Sequence, residues 1–138
     1  MRGETANGYV GIILVSHSEA LASGLMDLAR QVAGPDVEII AAAGGPDGSL
    51  GTDGARVLDA LRRGARGSGA VVLMDLGSSV LSVKAALGQL EDEELHRLQV
   101  ADAPFVEGTV AAAVTASTGA TAAEVARAAE EARGVAKL

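Results

Sequence analysis

The stretch that most restricts this chain is Tyr9 to Val15, YVGIILV, an unbroken apolar run rich in β-branched side chains that stops at Ser16-His17-Ser18-Glu19. An apolar run without alternation fits a strand buried on both faces, and such strands belong to parallel sheets covered by helices on each side. The period then becomes helical. Leu21, Leu25, Leu28 and Val32 form an amphipathic face that ends at Gly34-Pro35. Ser16 or Ser18 can cap this helix, and Ser16-x-x-Glu19 has the form of a capping box.

The alternation recurs. Val37 to Ala42 reads as a second strand, and the glycine-rich segment Gly44 to Gly51 delivers Thr52-Asp53 as caps for a helix carrying Val57, Leu58, Leu61 and Ala65. Ala70 to Met74 reads as a third strand, followed by Asp75-Leu76-Gly77-Ser78-Ser79 and a helix through Val80, Val83, Leu87 and Leu90. Glu91 to Leu95 is a surface turn or helical extension. A short strand near Leu98 to Ala101 leads through Ala103 to Gly108 into an alanine-rich helix, and Thr121-x-x-Glu124 opens a last one. Four strand–helix units joined by right-handed crossovers predict a doubly wound open α/β sheet of four parallel strands flanked by helices, with room for an extra edge strand. Met1 to Gly8 is polar and aperiodic and reads as a flexible tail ahead of one domain, 9–138.

Composition removes whole classes of function. The chain has no cysteine, so thiol catalysis, disulfides and cysteine-ligated metals are out. Its formal net charge of −7 leaves no electrostatic footprint for nucleic acid or an anionic membrane. Tyr9 and Phe105 are the only aromatic residues, too few to stack a flavin or bases. No apolar run approaches the length of a membrane span or a secretory signal, so a cytoplasmic location is expected.

Ligands of open α/β sheets bind beyond the carboxyl ends of the strands. The chemically equipped residues collect there: His17 after strand 1, Thr52-Asp53 after strand 2, Asp75 to Ser79 after strand 3 and Glu107-Gly108 after strand 4. These loops hold carboxylates and hydroxyls but no Lys or Arg. A site that retains a phosphorylated ligand would supply cations. A site that carries a phosphoryl group briefly on histidine should hold it weakly, with a neutral imidazole fixed in one tautomer by a carboxylate. Asp75 is the candidate for orienting His17. Ser78 and Ser79, with the amides from Gly77 onward, are the candidates for steadying phosphate oxygens. Thr52, Asp53 and Glu107 lie at the periphery.

The strings VSHSEALASG, GTDGARV, MDLGSSVLS and APFVEGTVAAAV stand in this order. With them, the stretch from about Tyr9 to Arg133 resembles the mannose-type EIIA family of the bacterial phosphotransferase system, and most of all its branch serving dihydroxyacetone kinase. The resemblance implies a sheet of order 2-1-3-4 and a homodimer. It implies that His17 accepts phosphate from phospho-HPr with Asp75 beside it. The implied acceptor is ADP on the DhaL subunit, which in turn serves dihydroxyacetone bound on DhaK. ADP, ATP and Mg²⁺ then belong to the partner, and this chain needs neither cofactor nor metal. Some relatives are fused to HPr-like and enzyme I-like domains. With its last residue at Leu138, this chain is expected to resemble the stand-alone form and to use separate donors. The alternative within the family is an EIIA component of a mannose-family sugar transporter, or a phosphorylation-dependent regulatory adaptor.

Plainer accounts stand beside these. On position alone, His17 reads equally as a polar residue in a capping turn. His96 belongs to a charged, solvated stretch, and Met26 and Met74 read as core filler. Asp75, Ser78, Ser79, Thr52 and Asp53 could each do no more than cap a helix, and capping is the fuller account for Thr52. Glu107 could merely complement a helix dipole. The glycine-rich segment lacks the Gly-Lys-Ser/Thr of a P-loop. A receiver domain would need an acidic pair where Ser16-His17-Ser18 stands, and a serine hydrolase would need a Gly-x-Ser-x-Gly elbow that Asp75 to Ser79 does not spell.

Overall fold

A computed structural model describes residues 8–138. The tail expected over 1–8 therefore lies outside the described residues except for Gly8, whose carbonyl accepts a hydrogen bond from Ser68. Strands β1 (Gly11–Ser16), β2 (Ile39–Ala43), β3 (Ala70–Met74) and β4 (Leu98–Val100) form one parallel sheet in the order β2-β1-β3-β4. This is the α/β architecture and strand order expected above. Among the described residues the sheet has no further edge strand.

Helices α1 (Glu19–Ala33), α5 (Phe105–Ala116) and α6 (Ala122–Glu131) cover one face of the sheet, and α2 (Gly54–Gly64) and α3 (Gly77–Leu87) cover the other. All six residues of β1 are buried, because both faces of the central strand are covered. Ile12 and Leu14 point to the α1/α5/α6 side with Val71 and Leu73, while Ile13 and Val15 point to the α2/α3 side with Val57, Leu61 and Val83. The acidic stretch after α3 forms a separate short helix, α4 (Asp92–His96), through a capping box between Glu91 and Glu94. Leu90, assigned above to the preceding helix, lies beyond its end but is still buried.

Two local expectations are corrected. The capping box Ser16-x-x-Glu19 does not form: Ser18 caps α1 by accepting the Leu21 amide, and Glu19 turns to Arg56. The buried face of α1 is also rotated from the one its large residues mark. Ala22, Leu25, Ala29 and Ala33 face the sheet, whereas Leu21, Leu28 and Val32 are each at least 40% exposed. Small side chains win the inner face because they let the helix axis settle close to the strands. The box Thr121-x-x-Glu124 does open α6.

Candidate active site

Parallel pairing puts Val15 level with Met74, so the residues that leave β1 and β3 emerge side by side. His17 and Asp75 are these residues. The Asp75 amide donates to the Val15 carbonyl at 3.2 Å, and the His17 amide donates to Asp75 Oδ2 at 3.0 Å. The imidazole then meets the carboxylate, with Nδ1 3.0 Å from Oδ1. Asp75 is almost wholly buried and His17 keeps about a fifth of its side chain exposed.

The carboxylate is saturated. Oδ1 accepts the Ser79 hydroxyl at 2.6 Å and the Leu76 amide at 2.7 Å, while Oδ2 accepts the Ser16 hydroxyl at 3.0 Å as well as the His17 amide. Burial would push its carboxyl up, but the hydrogen bonds from Ser79, the His17 amide, the His17 ring and Ser16 outweigh burial and hold it at about 2. An ionised carboxylate can only accept, so the network assigns the proton of His17 to Nδ1 and the lone pair to Nε2. Nε2 meets the hydroxyl of the exposed Ser78, which is free to donate to it. Ser78 belongs to the first turn of α3, which begins at Gly77 and whose opening amides have no partner within the helix.

The two serines therefore part company. Ser78 stands at Nε2. Ser79 is fully buried, within 3.0 Å of Nδ1 and bonded to Asp75, so it lies on the ring's other side from any phosphate carried at Nε2. Thr52 does not cap α2; its hydroxyl is 2.6 Å from that of Ser82, which donates to the Ser78 carbonyl. Asp53 is the cap, accepting the Ala55 amide. Glu107 pairs with Lys137 at 2.9 Å, which lowers its carboxyl, and it shares no hydrogen bond with His17. His96 sits exposed in α4, and Met26 and Met74 pack partly buried against the core.

Three contributors were not foreseen. Ser16 is not the cap of α1 but a fully buried partner of Asp75. Its signal was its place at the end of a strand covered on both faces, where a hydroxyl must find a partner. The glycine-rich loop closes on the histidine turn, with the Gly44 amide on the Ser16 carbonyl and the Gly51 amide on that of His17. Gly44 is left-handed, with φ of +81°, and an added Cβ would stand 2.8 Å from Glu19 Cγ. Arg56, one turn into α2, reaches back to Glu19 and the Ala43 carbonyl, each near 3 Å, and stays close to Asp53. Those acidic partners hold the guanidinium, and among the described residues no basic side chain touches His17. Leu50, next to the loop glycine that bonds the His17 carbonyl, Leu76, next to Asp75, and Leu81 in α3 are each more than 60% exposed.

Comparison with known proteins is consistent across sequence and structure. Residues 11–126 match the EIIA-man family, described as the PTS system fructose IIA component. An Escherichia coli K12 protein named PEP-dependent dihydroxyacetone kinase, phosphoryl donor subunit DhaM, is 40% identical over 80% of this chain, which spans only 24% of that protein's length. Subunits of similar size are matched along most of their length. In Listeria innocua, the DhaM of PEP-dependent dihydroxyacetone kinase 2 is 36% identical over 76% of this chain and 84% of its own. The Lactococcus lactis phosphotransferase subunit DhaM is 33% identical over 80% and 85%. A crystal structure described as unknown function protein EF1359 superposes with a TM-score of 0.75 at 32% identity, covering 87% of this chain and 92% of that one.

Proposed function

The chain belongs to the EIIA-man family of phosphotransferase system components, and from that premise we propose a phosphohistidine carrier that links phospho-HPr to a dihydroxyacetone kinase. The observation that carries this reading is the division of labour on one ring: Asp75 on Nδ1, and Ser78, in the first turn of α3, at Nε2. In uptake, the Nε2 lone pair attacks phosphorus on the donor's phosphohistidine. The new N–P bond forms as the old one breaks, and the donor ring keeps the released electron pair. Nδ1 holds its proton throughout, and the ionised Asp75 balances the positive charge on the loaded ring. In discharge, a β-phosphate oxygen of ADP on the DhaL subunit attacks the same phosphorus and the electron pair returns to Nε2. DhaK then receives the phosphoryl group for dihydroxyacetone. The nucleotide and its Mg²⁺ reside on the partner.

Among the described residues the partners of the His17 ring are Asp75, Ser78 and Ser79, with no Lys or Arg, which suits a carrier, because neutral donors steady the phosphate without trapping it. The exposed Leu50, Leu76 and Leu81, on the loop and helix whose backbone meets His17 and Asp75, offer apolar surface on which donor and acceptor dock in turn over a modest area. Ser79 serves this reaction by holding Asp75. A homodimer and a cytoplasmic location belong to the same reading; among the described residues no helix is long and apolar enough to cross a membrane.

The test is intact mass after incubation with phosphoenolpyruvate, enzyme I and HPr, followed by the ADP-loaded kinase subunit. One acid-labile phosphate should be gained and then discharged, and His17→Ala should gain none while keeping its fold. Stoichiometric labelling of that variant would overturn the assignment of His17. Gain without discharge would move the chain to a sugar transporter or a regulatory adaptor of the same family.

A further inference from the structure

Ser16 closes β1, and its side chain is fully buried although it caps nothing. A buried hydroxyl without partners is costly, and this one has three polar atoms within reach. It accepts the Ser18 amide at 3.1 Å and faces two acceptors, Asp75 Oδ2 at 3.0 Å and the Ser18 carbonyl at 3.2 Å. With one proton to give, it gives it to the carboxylate, since a hydrogen bond to an ion is about twice as strong as one between neutral groups.

The consequence lies in how the two oxygens of Asp75 are divided. Oδ1 faces the ring with Ser79 and the Leu76 amide, and Oδ2 is held by Ser16 and the His17 amide. Holding both oxygens stops the carboxylate from rotating about its own bond, so Oδ1 stays level with Nδ1. We propose that Ser16 is a positioning residue, whose hydroxyl locks the Asp75 carboxylate and thereby keeps the His17 proton on Nδ1 and the lone pair on Nε2. This deepens the carrier reading and rests on it for its effect on rate. The tautomer itself is a property of the resting protein. Among the described partners of Asp75, only His17 is titratable, so the ring is the one group whose protonation Ser16 can reach through the carboxylate.

The experiment pairs long-range proton–nitrogen correlation spectra of the ¹⁵N-labelled chain with the rate of phosphate uptake from phospho-HPr. His96, exposed in α4, is the internal control. The wild type should show a single Nδ1–H tautomer at His17. Ser16→Ala should mix the two tautomers and slow uptake by roughly ten-fold to a hundred-fold, the cost of one hydrogen bond to a charged group. An unmixed His17 tautomer in Ser16→Ala would overturn the proposal. Should alanine prevent folding, Ser16→Cys, similar in volume but a poor donor, carries the same expectation and the same overturning result. If the wild type takes up no phosphate, the carrier reading fails, while the tautomer of the variants still decides the role of Ser16.

Discussion

Asp75 shows how one buried carboxylate ties stability to pH. Its ordinary value is 3.8, and in the fold it is lowered to about 2: burial opposes the shift, and donors from Ser79, His17 and Ser16 overcome it. The folded state thus binds the acid proton less readily than the unfolded chain does. The stabilisation is complete above about pH 4 and is lost as pH falls through about 2; its size is on the order of 2 kcal/mol. Asp75→Asn cannot reproduce it, because an amide nitrogen has no lone pair for the donors that face it. Urea unfolding of both proteins between pH 5 and pH 2 checks this. The variant should be the less stable at pH 5 and the gap should narrow by roughly that amount toward pH 2. A gap that stays constant across the range would mean that the network does not hold the carboxylate. The pair itself was legible in the sequence, since His17 and Asp75 each follow a strand of the same apolar type. The lock behind it was not, because the serine that ends a strand and the serine that caps a helix stand two residues apart in Ser16-His17-Ser18, and only the backbone's turn separates their roles.

At the scale of elements, the approach of β3 to its neighbours depends on one glycine. Gly69 is left-handed, with φ of +84°, and its carbonyl accepts the Gly11 amide that starts β1. An added Cβ would lie 2.2 Å from the Arg97 carbonyl oxygen, the acceptor for the Ala70 amide that starts β3. Gly69→Ala combines a disfavoured backbone with a backbone clash, so it should cost about 3 kcal/mol, read as a lowered denaturant midpoint with an unchanged slope. A loss within half a kcal/mol would show that the β3–β4 junction can shift freely. The same scale explains what pattern reading reaches and where it stops. The central strands β1 and β3, covered on both faces, write unbroken apolar runs. The edge strand β4 is only Leu98-Gln99-Val100 with its last two residues exposed, and its place is read from the repeating strand–helix alternation. A helix over a sheet is different. In α1, size marked Leu21, Leu28 and Val32 as the inner face, but close approach selected Ala22, Ala29 and Ala33, and only Leu25 belongs to both sets. Hydrophobic period locates such a helix reliably and its rotation poorly, because alanine scores low in size and high in fit.

At the scale of the whole molecule, that rotation leaves an apolar stripe in water. Glu19, Ala22, Ser23 and Met26 line a groove with Ala41, Ala43 and Arg56 along the β2 flank of α1, which puts Leu21, Leu28 and Val32 on the opposite flank, toward α5 with its exposed Val106 and Val114. Gly24 lies between Leu21 and Leu28 along the helix, exposed at the solvent-facing edge of this stripe. A Cβ there would meet nothing within 4 Å, so nothing inside the chain asks for glycine at a position where it costs a helix about 1 kcal/mol. A second copy seated across α1 would use both features, the leucines for burial and the glycine for close approach. The homodimer of the proposed function can then be tested at one residue. Leu28→Glu places a charge on the stripe without touching the core, so the isolated chain should keep its stability to within about 0.5 kcal/mol. Light scattering across a concentration series should give the wild type twice the mass of the 13.7 kDa chain and the variant a mass nearer to one. A variant that stays dimeric at every concentration would place the contact elsewhere. A wild type that is monomeric throughout would leave the stripe to the docking partners that the proposed function brings to the adjoining His17 end of α1.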